Sequence, residues 1–567
     1  LAGVRQTWDD KREEVDGVAI RFNDALRRQH KIDAPDSAPP NEETFKAATL
    51  QLVQLHNAEE GGFSDSQQFP QEGFLLFLLD HWRRTGEEQA RAAVATTLEA
   101  IAAGGIHDHI GGGFHRYTVD PNWRTPHFEK MLYNQALLAR AFIEGWEATA
   151  RPAFRRAAER AFTYVLRDMT DPEGAFYAAE DADSSDRSEK VEEGAFYVWP
   201  IEYVRATLGR TAERAIAALG LDRGATVEAG PVAHLRPGER VDFEALDPVL
   251  ARLLKARAGR QRPLRDDKII AGWNGLMIRA LAEGAVAFGR ADLAEAALRA
   301  AETLWQRHWD GERLWRLWVG ETACEAGLLD DYAWFGLGCL ALHEATAEPL
   351  WLERATTLAE TAVAVFADDA HRLKMAAEDG PLGPIYESAD GATPAGESAM
   401  LELLARLGGE TGAAEMLIRA GELRAAIAPQ MVQFPLMRPE ALMASRIMDQ
   451  GRSTLRRVLS QGRVRAQLKP ASGGLGWRLM LSIAEGWHLN AHEPGPNWLV
   501  GATIEGADTE WPEGRAQTMD FSETEVAVYT GLVEIDLMPE APELKLRVQA
   551  CSERVCLEPV STIFRLP

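Results

Sequence analysis

The feature that most constrains this 567-residue sequence is a rhythm. From Thr44 to about Arg424, segments with helical apolar periodicity alternate between long and short connections. Periodicity and cap signals predict helices over 44–58, 73–84, 87–103, 126–148, 152–168, 200–208, 242–257, 272–288, 291–308, 330–345, 348–367, 395–407 and 411–424. The long connections are rich in glycine and aspartate, as in "EEGGFSDSQQFPQ", "GGIHDHIGGGFHRY", "PLRDDKIIAGWNG" and "IYESADGATPAGES". Paired helices must bury their apolar stripes against neighbours. A dozen of them with this alternation predict an α/α barrel, an inner ring wrapped by an outer one, with the long loops gathered at its mouth. A helical solenoid would use the same helices, but the irregular loop lengths argue against a clean repeat.

The rhythm breaks at about residue 460. In "WRLMLSI" Trp477, Leu479, Leu481 and Ile483 share one face, and "LKLRV" repeats the alternation at Leu544, Leu546 and Val548. Period two between Gly/Pro turns indicates antiparallel strands, and about 100 residues of this kind suit a small β-sandwich. The expected organisation is mainly α: an N-terminal helix and linker over 1–43, the barrel over 44–450, and the sandwich over 463–567, with the boundary between Met448 and Arg463.

A formal charge of −25 argues against a nucleic-acid partner, no apolar run reaches transmembrane length, and no dinucleotide fingerprint follows a strand. No cofactor is therefore expected. The chain opens on Leu1 with an amphipathic stretch, which reads as a fragment whose start lies upstream and leaves cytoplasmic and periplasmic locations both open. Four cysteines cannot make a disulfide framework, but Cys551 and Cys556 are close enough for a short turn to bring them within bonding reach.

The loops carry the candidate chemistry. In "DPNWRTPHFEKMLYN" Thr125 is expected to cap a helix with Pro126 at its first position. His127 and Glu129 would then lie in the first turn, where the helix dipole favours a neutral imidazole able to act as a base. His115 and Arg116 are expected at the same mouth, with His115 and His127 facing a cleft that holds Asp181 or Asp183. Asp330 and Asp331 in "LLDDYAW" add carboxylates for acid–base work, although capping alone explains Asp330. Trp273 with Asn274 resembles a stacking platform beside a polar reader, and Trp123 is a further stacking candidate. His107 and His109 form H-x-H, but no complete ligand set surrounds them, so no zinc is expected.

These same stretches, with "FYAAEDADS", "DDKIIAGWNGLMIRAL" and "LLDDYAWFGLGCLALHEAT", resemble the YyaL-like family of thioredoxin-domain-containing proteins (spermatogenesis-associated protein 20-like) over residues 1–450. The resemblance implies a six-hairpin α/α barrel similar to N-acylglucosamine 2-epimerase, and a thioredoxin-like domain that has no counterpart here. The wider barrel superfamily includes sugar epimerases, isomerases and glycoside hydrolases, so the resemblance implies fold more than reaction. The expected function is a sugar-active enzyme, working either by histidine-assisted epimerisation or isomerisation, with His127 and His115 as base and acid and Arg116 stabilising enolate-like charge, or by carboxylate-assisted hydrolysis. The alternative is a glycan- or protein-binding redox module. "IAEGWHLNAHEPGPNWLV", "VAVYTG" and "QACSERVCLEP" resemble the N-terminal domain of the thiol:disulfide interchange protein DsbD, an immunoglobulin-like sandwich. That likeness implies thiol exchange through Cys551 and Cys556 with a redox partner.

Overall fold

The computed structural model describes every residue except 1, 31–37, 186–189, 224–226, 237, 239–240, 347, 381–382, 454, 461, 472–475, 497, 520–523 and 567. Twelve helices carry the larger part: α1 (Glu42–Leu55), α2 (Glu72–Thr85), α3 (Glu88–Ala103), α4 (Leu132–Thr149), α5 (Pro152–Asp168) and α6 (Ala271–Phe288). They continue with α7 (Ala291–His308), α8 (Leu329–Thr346), α9 (Pro349–Phe366), α10 (Gly396–Thr411), α11 (Ala414–Gln433) and α12 (Pro439–Gln450). Helices α4, α6, α8 and α10 are buried nearly all round, whereas α5, α7 and α9 bury one stripe. This is the burial expected of inner and outer partners in repeated hairpins.

Each hairpin pairs an inner helix with the one that follows it: α2 with α3, α4 with α5, α6 with α7, α8 with α9 and α10 with α11. The inner helices also pack in succession, α2 on α4, α4 on α6, α6 on α8, α8 on α10 and α10 on α12, and α12 packs on α2. The α6–α8 contact is backbone-close because glycines meet there. A Cβ on Gly275 would stand 2.5 Å from the Phe335 nitrogen, and one on Gly338 would stand 2.8 Å from the Gly275 carbonyl oxygen.

Three expectations need correction. The helix expected over 126–148 starts only at Leu132, because Pro126–His127 pairs with Tyr117–Thr118 and Lys130–Met131 pairs with Ala179–Glu180. Thr125 therefore caps no helix, and His127 and Glu129 owe nothing to a helix dipole. The single helix expected over residues 1–30 is two, Ala2–Asp10 and Arg12–His30. Helix α12 and the short helix Ala212–Ala218 were not anticipated. The latter packs with Ile201–Leu208 and Phe243–Arg257 around a small core of its own in the long α5–α6 connection.

The chain turns to strands at Arg456. A five-stranded antiparallel sheet runs in the order Arg456–Leu459, Val464–Pro470, Trp477–Ile483, Leu532–Pro539, Ala507–Thr509. A three-stranded sheet joins Thr503–Glu505, Glu543–Val548 and Val560–Arg565, and four further short strands make a third sheet. Leu479, Leu481 and Ile535 of the first sheet share one buried cluster with Leu544, Leu546 and Phe564 of the second. Alternation along each strand supplies that face.

Candidate functional site

The histidine-rich loop is a buried knot. Asp108 is its centre: its carboxylate accepts two hydrogen bonds from Arg257 (2.9 and 2.8 Å), one from Lys130 (2.9 Å) and two from the backbone N–H groups of Ile110 and Gly111. Gly111 is obligatory, since a Cβ there would stand 1.7 Å from an Arg257 guanidinium nitrogen. The histidines are buried and spend ring N–H groups on backbone carbonyls: His107 on Ala102, His109 on Ala103 and Gly104, and His115 on Phe128. Burial, reinforced by the Lys130 charge, pushes His115 down to about 3. His115, 1% exposed and with Nδ1 spent on the Phe128 carbonyl, is sealed in the knot and does not stand open beside Asp181 or Asp183, contrary to expectation. Among the described residues no group of three or more His, Cys, Asp or Glu is arranged to hold a metal ion.

His127 is the exception. It is partly exposed, and its Nδ1 lies 2.7 Å from a Glu193 carboxylate oxygen, which accepts, so Nδ1 carries a proton and Nε2 is the ring nitrogen turned toward Glu129. Glu129 lies 3.4 Å from Nε2 and receives a hydrogen bond from Arg116 at 3.2 Å. Arg116 also engages the Tyr133 hydroxyl, which burial and the nearby Glu72 hold above its ordinary value. Tyr133 meets the Trp273 ring at 5.0 Å, edge to face, and Tyr117 stacks between His127 (5.0 Å) and Phe69 (4.6 Å). Short antiparallel pairings set this array, placing Tyr117 opposite His127 and Asp183 opposite Glu193.

The other expected residues divide. Asp181 and Asp183 are exposed, and Asp183 reaches the array only through the backbone ladder to Glu193. Asn274 is sealed: its carbonyl oxygen accepts the Phe176 N–H, and its amide donates to the Phe176 and Ile270 carbonyls. Trp123 is buried and donates to the Glu60 carbonyl. Both are structural clamps in place of the expected ligand contacts. Asp331 joins α8 to α6 by accepting the Gly272 N–H (2.9 Å), the Leu328 N–H (2.9 Å) and Arg316 (2.6 Å), and Arg316 also reaches Asp330 (3.1 Å). Asp330 sits inside the first turn of α8, and Asp331 does the end-tying expected of it.

Several carboxyls at the N-terminal ends of the inner helices escaped the sequence reading. Burial raises Glu72 at the start of α2 to about 7 and Glu440 at the start of α12 to about 8. Burial also raises Glu387, in the loop before α10, to about 7, and it raises Asp390 nearby. The legible signal was position. Glu387 and Asp390 lie in "IYESADGATPAGES", already marked as a long loop, but no motif singled them out.

Cys551 and Cys556 form a disulfide with Cα atoms 4.0 Å apart; Cys551 is buried and Cys556 partly exposed. No described helix is long and apolar enough to cross a membrane. Residues 456–567 match the family described as thiol:disulfide interchange protein DsbD, N-terminal. Spermatogenesis-associated protein 20 of Homo sapiens is 31% identical over 515 residues, covering 82% of this chain and 65% of its own length. The Rattus norvegicus protein is 30% identical with the same coverage, so the chain spans 65% of these relatives. Among solved structures, D-mannose isomerase is similar at 11% identity with a TM-score of 0.46, covering 69% of this chain and 88% of that one.

Proposed function

The chain is a spermatogenesis-associated protein 20-like protein with a C-terminal segment like the N-terminal domain of DsbD, and from that premise we propose an acid–base enzyme acting on a sugar or related polyol. The observation that carries the reading is the array Glu193–His127–Glu129–Arg116–Tyr133 beside aromatic faces at the inner-helix N-termini. We read the returning succession α2–α4–α6–α8–α10–α12 as a closed six-hairpin α/α barrel over residues 44–450, which makes this end its mouth. The buried cluster common to two sheets supports a closed sandwich for the C-terminal region.

Epimerisation next to a carbonyl needs a base on one face of the carbon and an acid on the other. His127 Nε2 is the base, with Glu193 holding its ring in the useful tautomer. Arg116 faces the oxygen on which negative charge grows. Glu387, in the loop before α10 and across the succession from α4, is the acid: a half-buried carboxyl raised to about 7 still holds its proton near neutral pH. Trp273 and Tyr133 stack the sugar face, and Asp181, Asp183 and Asp330 border the entrance. The test is proton NMR of reducing sugars incubated with the protein in deuterium oxide. Exchange at the carbon next to the carbonyl is expected, with His127→Ala slowing it on the order of 100-fold or more. Exchange that survives His127→Ala unchanged would remove the assignment.

A second reading concerns the other end of the chain. The Cys551–Cys556 disulfide, with Cys556 partly exposed, supports thiol exchange with a dithiol partner. Alkylation and mass spectrometry after incubation with a reduced thioredoxin test it. A disulfide reducible only in denaturant would end this reading.

A further inference from the structure

At the mouth, carboxyl and amide oxygens gather, and Glu72 has no basic partner among the described residues. Glu72 opens α2 and Asn134 lies in the first turn of α4; both are more than nine-tenths buried, at 6% and 4% exposure. The Asn134 amide donates to Glu72 at 3.4 Å, which leaves its own Oδ1 buried with no partner among the described residues. A buried polar atom without a partner is costly unless something else supplies one. No lysine or arginine among the described residues pairs with Glu72, whereas the neighbouring Glu129 is already paired with Arg116. A second carboxyl stands close by: Glu440 Oε1 lies 3.8 Å from where a Cβ on Gly73 would be. Beside Asn134, Tyr133 and Trp273 present aromatic surface. Two carboxyls, an orphan carbonyl oxygen and π-faces together call for a compact cation that carries N–H donors.

We propose that Glu72 and Asn134 Oδ1 receive the ammonium group of an amine-bearing polyol, of which an amino sugar is the simplest member. The proposal rests on the acid–base reading only for where the reacting carbon lies; recognition of the ammonium stands on the acceptors themselves. Both carboxyls keep their protons without ligand because burial raises them, and an arriving ammonium replaces those protons with its own charge.

The test is calorimetric titration of the full chain with glucosamine, glucose and N-acetylglucosamine, of which only the first is cationic. Glucosamine is expected to bind about tenfold tighter than the other two, the worth of one charged hydrogen bond. Glu72→Gln should bring the three within about twofold of each other. Asn134→Asp, which keeps an acceptor oxygen at the orphan position and adds a charge, should widen the preference and so guards against a Glu72 variant that fails to fold. Equal binding of the three sugars, or a preference untouched by both substitutions, overturns the proposal. An amine preference without proton exchange at carbon keeps this proposal and sinks the acid–base reading. Exchange on neutral sugars without an amine preference does the reverse.

Discussion

Buried carboxylates at the two ends of the inner helices are treated differently. At the N-terminal ends Asp331 and Glu397 are tied to Arg316 and Arg372, but Glu72, Glu440 and, in the loop before α10, Glu387 have no arginine at ion-pair distance among the described residues, and burial raises all three. Toward the C-terminal ends the acids are clamped. Glu283 takes Arg140 and Arg279 at 3.0 Å each, Glu402 takes Arg279 at 2.7 Å and Arg406 at 2.9 Å, and Glu144 takes Arg83. Although burial opposes it, these arginines hold Glu283 well below its ordinary value. The network also receives the C-terminal region. Arg456, at the head of the first strand, bonds Glu144 (3.0 Å), Glu147 (2.8 Å) and the Glu283 carbonyl (2.9 Å), and Gln467 reaches Glu147. One end is built to stay fixed, and the other keeps groups whose charge a ligand can change.

The largest expected effect is at the fixed end. Arg456→Ala leaves Glu144 and Glu147 buried without their shared cation and should cost roughly 3–5 kcal/mol in chemical denaturation. A loss under about 1 kcal/mol would mean that the network does not hold the two regions together.

A matched pair sharpens the contrast. Glu283→Gln strands Arg140 and removes one of the two carboxylates on Arg279 and should cost about 3 kcal/mol, while Glu440→Gln, replacing an acid with no arginine at ion-pair distance among the described residues, should leave stability measured at pH 4.5 within about 1 kcal/mol. Equal costs in the two variants would erase the distinction between the ends.

The C-terminal disulfide ranks below the network. Closing so short a loop restricts the unfolded chain little, so Cys551→Ser should cost about 2 kcal/mol at most. A larger loss in urea would make the bond, and not the arginine junction, the main staple of that region.

Taken one pH unit at a time, the smallest effect is a slope with pH. Glu440 goes from an ordinary 4.5 to about 8 on folding, so its contribution is present below pH 4.5 and is lost as pH rises through 8. Glu283 moves the other way: its contribution is present above 4.5 and is lost as pH falls below that value. Each proton amounts to at most about 1.4 kcal/mol per pH unit. Denaturation curves should therefore flatten between pH 4.5 and 8 in Glu440→Gln, and below 4.5 in Glu283→Gln. A Glu440→Gln curve that parallels the parent would place that carboxyl in a wetter site than the structure gives it.

By itself the sequence determined most of the helices and the change of register. Apolar spacing gave α5 and α7 to the residue, because one-sided burial writes itself locally as a 3.6-residue period. Period two did the same for Trp477–Ile483. It also located the loops that bear the candidate site and singled out His127, Glu129 and Arg116. Tertiary structure alone decided which histidine stays open. His107, His109, His115 and His127 look alike in sequence, but three donate to carbonyls inside a knot closed by Asp108, Arg257 and Lys130. Arg257 is 149 residues from Asp108, and no local pattern announces such a partner. The same holds for Glu387, an acid in a polar loop, and for Glu72 and Glu440, since an acid in a first helical turn reads as ordinary helix-end chemistry. Its charge state depends on whether an arginine from a distant helix arrives beside it, and desolvation and Coulomb attraction act through space, not along the chain.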